Sequence, residues 1–131
     1  MEILLDTHTF LWYVTGNSQL SLNAKSYIDN RENTRYVSVA TLWEIAIKYS
    51  IGKLTLREPY EIIIPRLLQV NELARLPLSI EHLSQVANLS FPDQKHKDPF
   101  DRLIVAQSKI EDIPILSVDQ KLDAYGIDRR W

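Results

Sequence analysis

The chain has 131 residues, which is room for one domain of ordinary size and not for two. Apolar residues make up 45% and charged residues 24%, which excludes a disordered or fibrous chain. Lys and Arg number 15 against 17 Asp and Glu, a net charge of −2, so any contact with nucleic acid must rest on a local patch rather than on an overall basic field.

Ile3-Leu4-Leu5 is a short apolar run, the pattern of a strand buried in a parallel sheet. Asp6-Thr7 follows, then Phe10-Leu11-Trp12-Val14, a short helix closed near Gly16. Leu22 to Arg31 reads as a second helix capped by Ser21. Tyr36-Val37-Ser38-Val39 is β-prone, and Leu42, Ile45, Ala46 and Tyr49 behind it form a helical stripe ending near Gly52. Pro59 to Val70 is expected to be helical, with Pro65 breaking it or opening a second segment. A short strand falls at Ala74 to Leu78, and Ser79 caps a helix running to about Leu89. After a polar loop from Phe91 to Lys97, Asp98-Pro99 reads as an N-cap with proline in the first helical position. The last strand is Ile115-Leu116-Ser117, and Asp119 begins a short helix ended by Gly126. Strands alternating with helices predict a single α/β domain over residues 1–131, built on a mainly parallel sheet of four or five short strands.

The chain contains no cysteine, which excludes disulfides, thiolate catalysis and Cys-ligated zinc. The N-terminal residues do not read as a signal peptide, and no stretch approaches the ~18 apolar residues of a membrane span. The expected location is the cytoplasm.

Four acids stand at strand-to-helix junctions: Asp6 after the first strand, Glu44 in the helix after the second, Asp101 in the first turn after Asp98-Pro99, and Asp119 after the last strand. A parallel α/β sheet gathers the strand C-termini and the following helix starts on one edge. Taken singly, each acid also has an ordinary explanation. Asp6 and Asp119 can be N-caps, Thr41 with Glu44 and Asp98 with Asp101 match capping boxes, and Glu44 stands four residues before Lys48. Taken together on one edge they would repel unless a cation joined them, and an oxygen-only donor set suits Mg²⁺ or Mn²⁺. A metal so held is suited to phosphoryl chemistry.

Four stretches then resemble the PIN-domain ribonucleases, specifically the VapC-type toxins of type II toxin–antitoxin pairs. They are Ile3-Leu4-Leu5-Asp6-Thr7-His8, Ser38-Val39-Ala40-Thr41-Leu42-Trp43-Glu44-Ile45, His96-Lys97-Asp98-Pro99-Phe100-Asp101-Arg102-Leu103-Ile104-Val105-Ala106-Gln107, and Leu116-Ser117-Val118-Asp119. The resemblance spans nearly the whole chain, and the third stretch is its most specific part. It implies a three-layer α/β/α fold in which Asp6, Glu44 and Asp101 hold a divalent metal and Asp119 is the more variable fourth acid, acting through water. Thr7 and Ser117 are supporting polar groups, Asp98 is either the cap that positions Asp101 or an extra ligand, and Lys97 and Arg102 are candidate phosphate contacts. His8, His82 and His96 lack metal-ligand spacing. His82 reads as structural and His96 as a candidate substrate contact, while Trp12 and Trp43 read as core.

The resemblance further implies Mg²⁺-dependent hydrolysis of RNA to 3′-hydroxyl and 5′-phosphate ends, and a homodimer. It implies a small antitoxin whose arginine pairs with the carboxylates, and operator DNA bound only through the toxin–antitoxin complex. Two alternatives stand beside it: a non-catalytic PIN-fold binding module, and a haloacid-dehalogenase-like phosphatase. The phosphatase would need an acid two residues after Asp6, where this chain has His8.

Overall fold

A computed structural model of the chain describes residues 1–93, 95 and 97–131; His96 therefore lies outside the described residues. Five strands form one parallel sheet: β1 (Glu2–Leu5), β2 (Thr34–Ser38), β3 (Ala74–Leu76), β4 (Ile115–Leu116) and β5 (Arg129–Arg130), in the order β3-β2-β1-β4-β5. Among the described residues six α-helices join them: α1 (Thr7–Thr15), α2 (Leu22–Asp29), α3 (Val39–Ser50), α4 (Tyr60–Val70), α5 (Ile80–Asn88) and α6 (Pro99–Glu111), with a 3₁₀ helix at Gln120–Tyr125. None of the described helices is long and apolar enough to cross a membrane.

The layers follow from the two-residue period of a strand. In β1, Ile3 and Leu5 enter a core with Phe10, Ala24, Ile28, Val37 and Ile64, beneath α1, α2 and α4. Leu4 points the other way, into a core with Leu103, Val105, Ile115 and Leu122, beneath α6 and the 3₁₀ helix. Helices on both faces explain why β1 is an unbroken apolar run. The expected α/β/α fold is the fold found.

Three local expectations are corrected. Pro65 does not break α4, which is continuous from Tyr60 to Val70. Proline in the sixth position loses only the bond to the Glu61 carbonyl in the first turn, and burial of Ile64 and Leu68 holds the helix together. Val39 belongs to α3 rather than to β2, because Ser38 caps the helix directly from the last residue of the strand (Ala40 N–H to Ser38 Oγ, 2.9 Å). Trp43 does not fill the core: it is 53% exposed and meets Phe100 edge-on, ring centroids 5.1 Å apart.

Candidate metal centre at the carboxyl edge of the sheet

Because every strand runs the same way, β1 delivers Asp6, β2 delivers Ser38 and β4 delivers Ser117 to one edge. Asp6 is the N-cap of α1, accepting the Thr7 N–H at Oδ1 (2.7 Å), and its Oδ2 accepts the Ser117 hydroxyl (2.6 Å). Only 6% of it is exposed. Burial raises the Asp6 carboxyl above the ordinary carboxylate value and the nearby charge of Glu44 pushes the same way. The hydrogen bonds from Ser117 and Thr7, and the neighbouring His8, oppose the rise. An acid buried beside a second acid is a place where a cation is welcome.

Glu44 is 9% exposed, in the second turn of α3. Its Oε1 accepts the Thr7 hydroxyl (2.7 Å) and its Oε2 accepts from Lys48 Nζ (2.9 Å). Thr7 gives its proton to Glu44, so in the Thr7–Thr41 contact (3.1 Å) Thr41 is the donor. The Thr41–Glu44 capping box is therefore not formed: the cap is Ser38, and Thr41 belongs to this side-chain network. The sequence marks Thr41 as a cap, and its place beside Thr7 depends on a distant element that the local pattern does not carry.

Asp101 stands in the first turn of α6, half-buried. Each of Glu44 and Asp101 directly follows one ring of the Trp43–Phe100 pair, which sets the two carboxylate-bearing turns side by side. Asp119 caps the 3₁₀ helix (Lys121 N–H to Oδ1, 3.0 Å), and its own N–H donates to Ser117 Oγ (3.0 Å). Ser117 thus joins Asp6 to Asp119, and Arg129 donates to the Ser117 carbonyl (3.0 Å). Arg129, in β5, carried no signal in the sequence.

The donor set fits a hard divalent cation in kind, being all oxygen. It is not drawn together in number: among the described residues no three acids or histidines are close enough to hold a metal with the side chains as they stand. Lys48 already brings one positive charge to Glu44. Closing the set requires that ion pair to open, and Lys48, 40% exposed, has the freedom to do so.

Asp98 is exposed and its Oδ1 accepts from both Phe100 N–H (2.9 Å) and Asp101 N–H (3.0 Å), so here it serves as the cap. Asp98→Ala is expected to cost about 1 kcal/mol in urea denaturation, whereas Asp98→Asn keeps the acceptor and costs much less. Unchanged Mn²⁺ affinity in Asp98→Asn would settle the residue as cap and not ligand.

Lys97 is exposed in the loop before α6. Arg102 is not a phosphate contact. It is 5% exposed, it donates to the carbonyls of Leu89 (2.7 Å) and Ser90 (2.9 Å), and it lies 3.7 Å over the Phe91 ring. Its guanidinium fastens the segment after α5 to α6. His82 is structural as expected: Nδ1 accepts the Ser79 N–H (3.0 Å) and Nε2 meets Glu111 (3.2 Å).

A family model described as PIN domain matches residues 3–128. Among solved structures the fold is similar to VapBC2 from Rickettsia felis, determined with a DNA fragment from their promoter (TM-score 0.73, 18% identity, 99% of this chain and 98% of that one). It is also similar to VapBC-1 from nontypeable Haemophilus influenzae (TM-score 0.70, 14% identity, 99% and 97%) and to FitAcB from Neisseria gonorrhoeae (TM-score 0.66, 18% identity, 97% and 95%). Among curated proteins none matches the sequence.

Proposed function

The chain belongs to the PIN domain family, and from that membership and the arrangement of its acids we propose that it is a metal-dependent endoribonuclease, the toxin of a two-protein toxin–antitoxin pair. The observation that carries the reading is Asp6, a buried carboxylate beside Glu44 on the carboxyl edge of a parallel sheet. Asp6, Glu44 and Asp101 hold Mg²⁺ or Mn²⁺, with Asp119 next to them through Ser117. Bound there, the ion neutralises phosphodiester charge and makes water a better nucleophile. The chain's own groups do the positioning. Ser117 fixes the Asp6 carboxylate, Thr7 and Thr41 fix Glu44, and the Asp98 cap orders the turn that carries Asp101. Asp119 is the acid available to orient water on the far side of Ser117.

One observation favours a second reading, a PIN-fold binding module without catalysis: Glu44 has a counter-charge from the chain itself, the Lys48 ammonium 2.9 Å from its Oε2. Incubating the purified chain with RNA in Mg²⁺, in Mn²⁺ and in EDTA separates the two. Cleavage that needs the metal and is lost in Asp101→Asn supports the enzyme. Intact RNA in all three buffers supports the module. The phosphatase alternative falls with the family, since the PIN domain model matches residues 3–128.

Lys48 makes the metal reading quantitative. Removing a positive charge from Glu44 removes a competitor, so Lys48→Met is expected to bind Mn²⁺ several-fold more tightly by calorimetry. Unchanged or weaker binding would place the metal away from Glu44.

The antitoxin is expected to use the exposed apolar side of α3, where Trp43 (53% exposed) and Ile47 (36% exposed) stand one turn apart. Trp43→Ala and Ile47→Ala should each change stability by no more than about 1 kcal/mol, since neither residue fills the core. Folded variants that no longer co-purify with the protein encoded beside this one would support the docking. Folded variants that still bind would move the contact elsewhere.

A further inference from the structure

The acids proposed to hold the metal leave an excess of negative charge. Three carboxylates outweigh one divalent ion, so the loaded site stays anionic and repels the phosphodiester it must admit. At a net charge of −2 the chain has no general basic field to offset this, and Arg102 is committed to the carbonyls of Leu89 and Ser90. A cation that serves the phosphate must stand at the site itself.

Lys48 stands there. It lies four residues after Glu44 on the same face of α3, and its Nζ donates to Glu44 Oε2 (2.9 Å). The two oxygens of Glu44 are held unequally. Oε1 takes the buried hydroxyl of Thr7, which Thr41 backs. Oε2 is held by a side chain that is 40% exposed, against 12% for that of Glu44, so Oε2 has the partner that can leave. An ion that takes Oε2 deprives the ammonium of its acceptor, while the backbone keeps Lys48 one helical turn away. The ammonium has three donors and no acceptor, so its next partner must be an anion arriving from solvent. Just beyond, Gly52 at φ 77° turns the chain back, and the Lys53 N–H donates to the Lys48 carbonyl (2.9 Å). That turn brings a second exposed cation to the same helix end.

We propose that Lys48 is a phosphate-binding residue gated by the metal: paired with Glu44 in the metal-free chain, it passes to a non-bridging oxygen of the substrate phosphate once Glu44 is engaged by the ion. The proposal rests on the nuclease reading. It makes metal and phosphate bind cooperatively, and the coupling is reciprocal. Without metal, Glu44 masks the ammonium and Lys48 contributes nothing to phosphate affinity.

The test is calorimetry of the full chain with adenosine 3′,5′-bisphosphate, which has no internucleotide bond to cut, in EDTA and in saturating Mn²⁺. Lys48→Met is expected to weaken binding of the bisphosphate about fivefold in Mn²⁺ and less than twofold in EDTA, and Lys48→Arg should restore most of the loss. The same Lys48→Met protein should hold Mn²⁺ itself more tightly. Metal and phosphate affinities then move in opposite directions, which a general loss of structure would not produce. A second arm needs no metal. In EDTA, adding Lys48→Met to Glu44→Gln should cost about fivefold in bisphosphate affinity, because the neutral amide no longer masks the ammonium. Should Lys48→Met fail to fold by circular dichroism, Lys48→Gln takes its place in both arms. A Lys48 loss of equal size in both buffers, or none in Mn²⁺, overturns the proposal. Metal-dependent RNA cleavage by the parent that persists while the Lys48 arms fail removes the gating and keeps the nuclease. No cleavage, with no binding of the bisphosphate in either buffer, removes both.

Discussion

Asp6→Asn is expected to lower RNA hydrolysis by about 10³-fold or more and, in metal-free buffer at neutral pH, to leave the protein more stable than the parent. The first effect is the loss of several kcal/mol of metal-assisted charge stabilisation. The second follows from burial. The folded Asp6 carboxyl has a raised pKa, so the native state holds that proton more tightly than the unfolded chain does. Parent stability therefore falls as pH climbs from the ordinary carboxylate value through the raised one, and stays lowered at neutrality. Asparagine carries no charge to bury and keeps an Oδ1 for the Thr7 N–H, so its advantage should shrink to nothing in acid. With metal at about 100 times its Kd the order should reverse, because binding stabilises the parent by about 2.7 kcal/mol. Urea denaturation between pH 4 and 8, in EDTA and in Mn²⁺, reads all of these effects. A variant less stable than the parent in neutral EDTA would make Asp6 a structural cap and nothing more.

Arg102→Ala is expected to cost about 3 kcal/mol, the largest stability loss of any single charged residue near the site. It strips the guanidinium from the carbonyls of Leu89 and Ser90 and removes the stack on Phe91. A buried acceptor left unpaired costs about 1–3 kcal/mol, and a cation–π contact is worth about 0.5–2. In a domain this size that lowers the Tm by about 10 °C. Arg102→Lys should recover little, since one ammonium does not reproduce a planar fork reaching two carbonyls and a ring at once. A fall of less than about 2 °C in thermal denaturation would mean that the guanidinium is solvated rather than clamped.

What could be read in advance was what is local. Ile3-Leu4-Leu5 declares β1, Ser21, Ser79 and Asp98 declare three helix starts, and Gly16 and Gly126 declare two ends, because each signal is complete within a few residues. The gathering of Asp6, Ser117 and Asp119 on one edge also follows, since a parallel sheet leaves no other place for them. What escaped depends on distant partners. β5 is two arginines that become a strand only because β4 offers them hydrogen bonds. Arg102 looks like a surface cation until the segment after α5 folds over it. Thr41 looks like a cap until Ser38 takes that position and Thr7 arrives from another element.

The central strand is hydrogen-bonded on one side to β2 and on the other to β4, and Ser117 reaches Asp6 across 111 positions of sequence. Such distant pairings close late, because the entropy of the intervening loop must be overcome before any contact repays it. During synthesis the first carboxylate emerges from the ribosome long before the strand that completes its surroundings. On the proposed nuclease reading, a chain wired in this order stays inert beside the RNA-rich machine that makes it until the strand that carries Ser117 is free to fold.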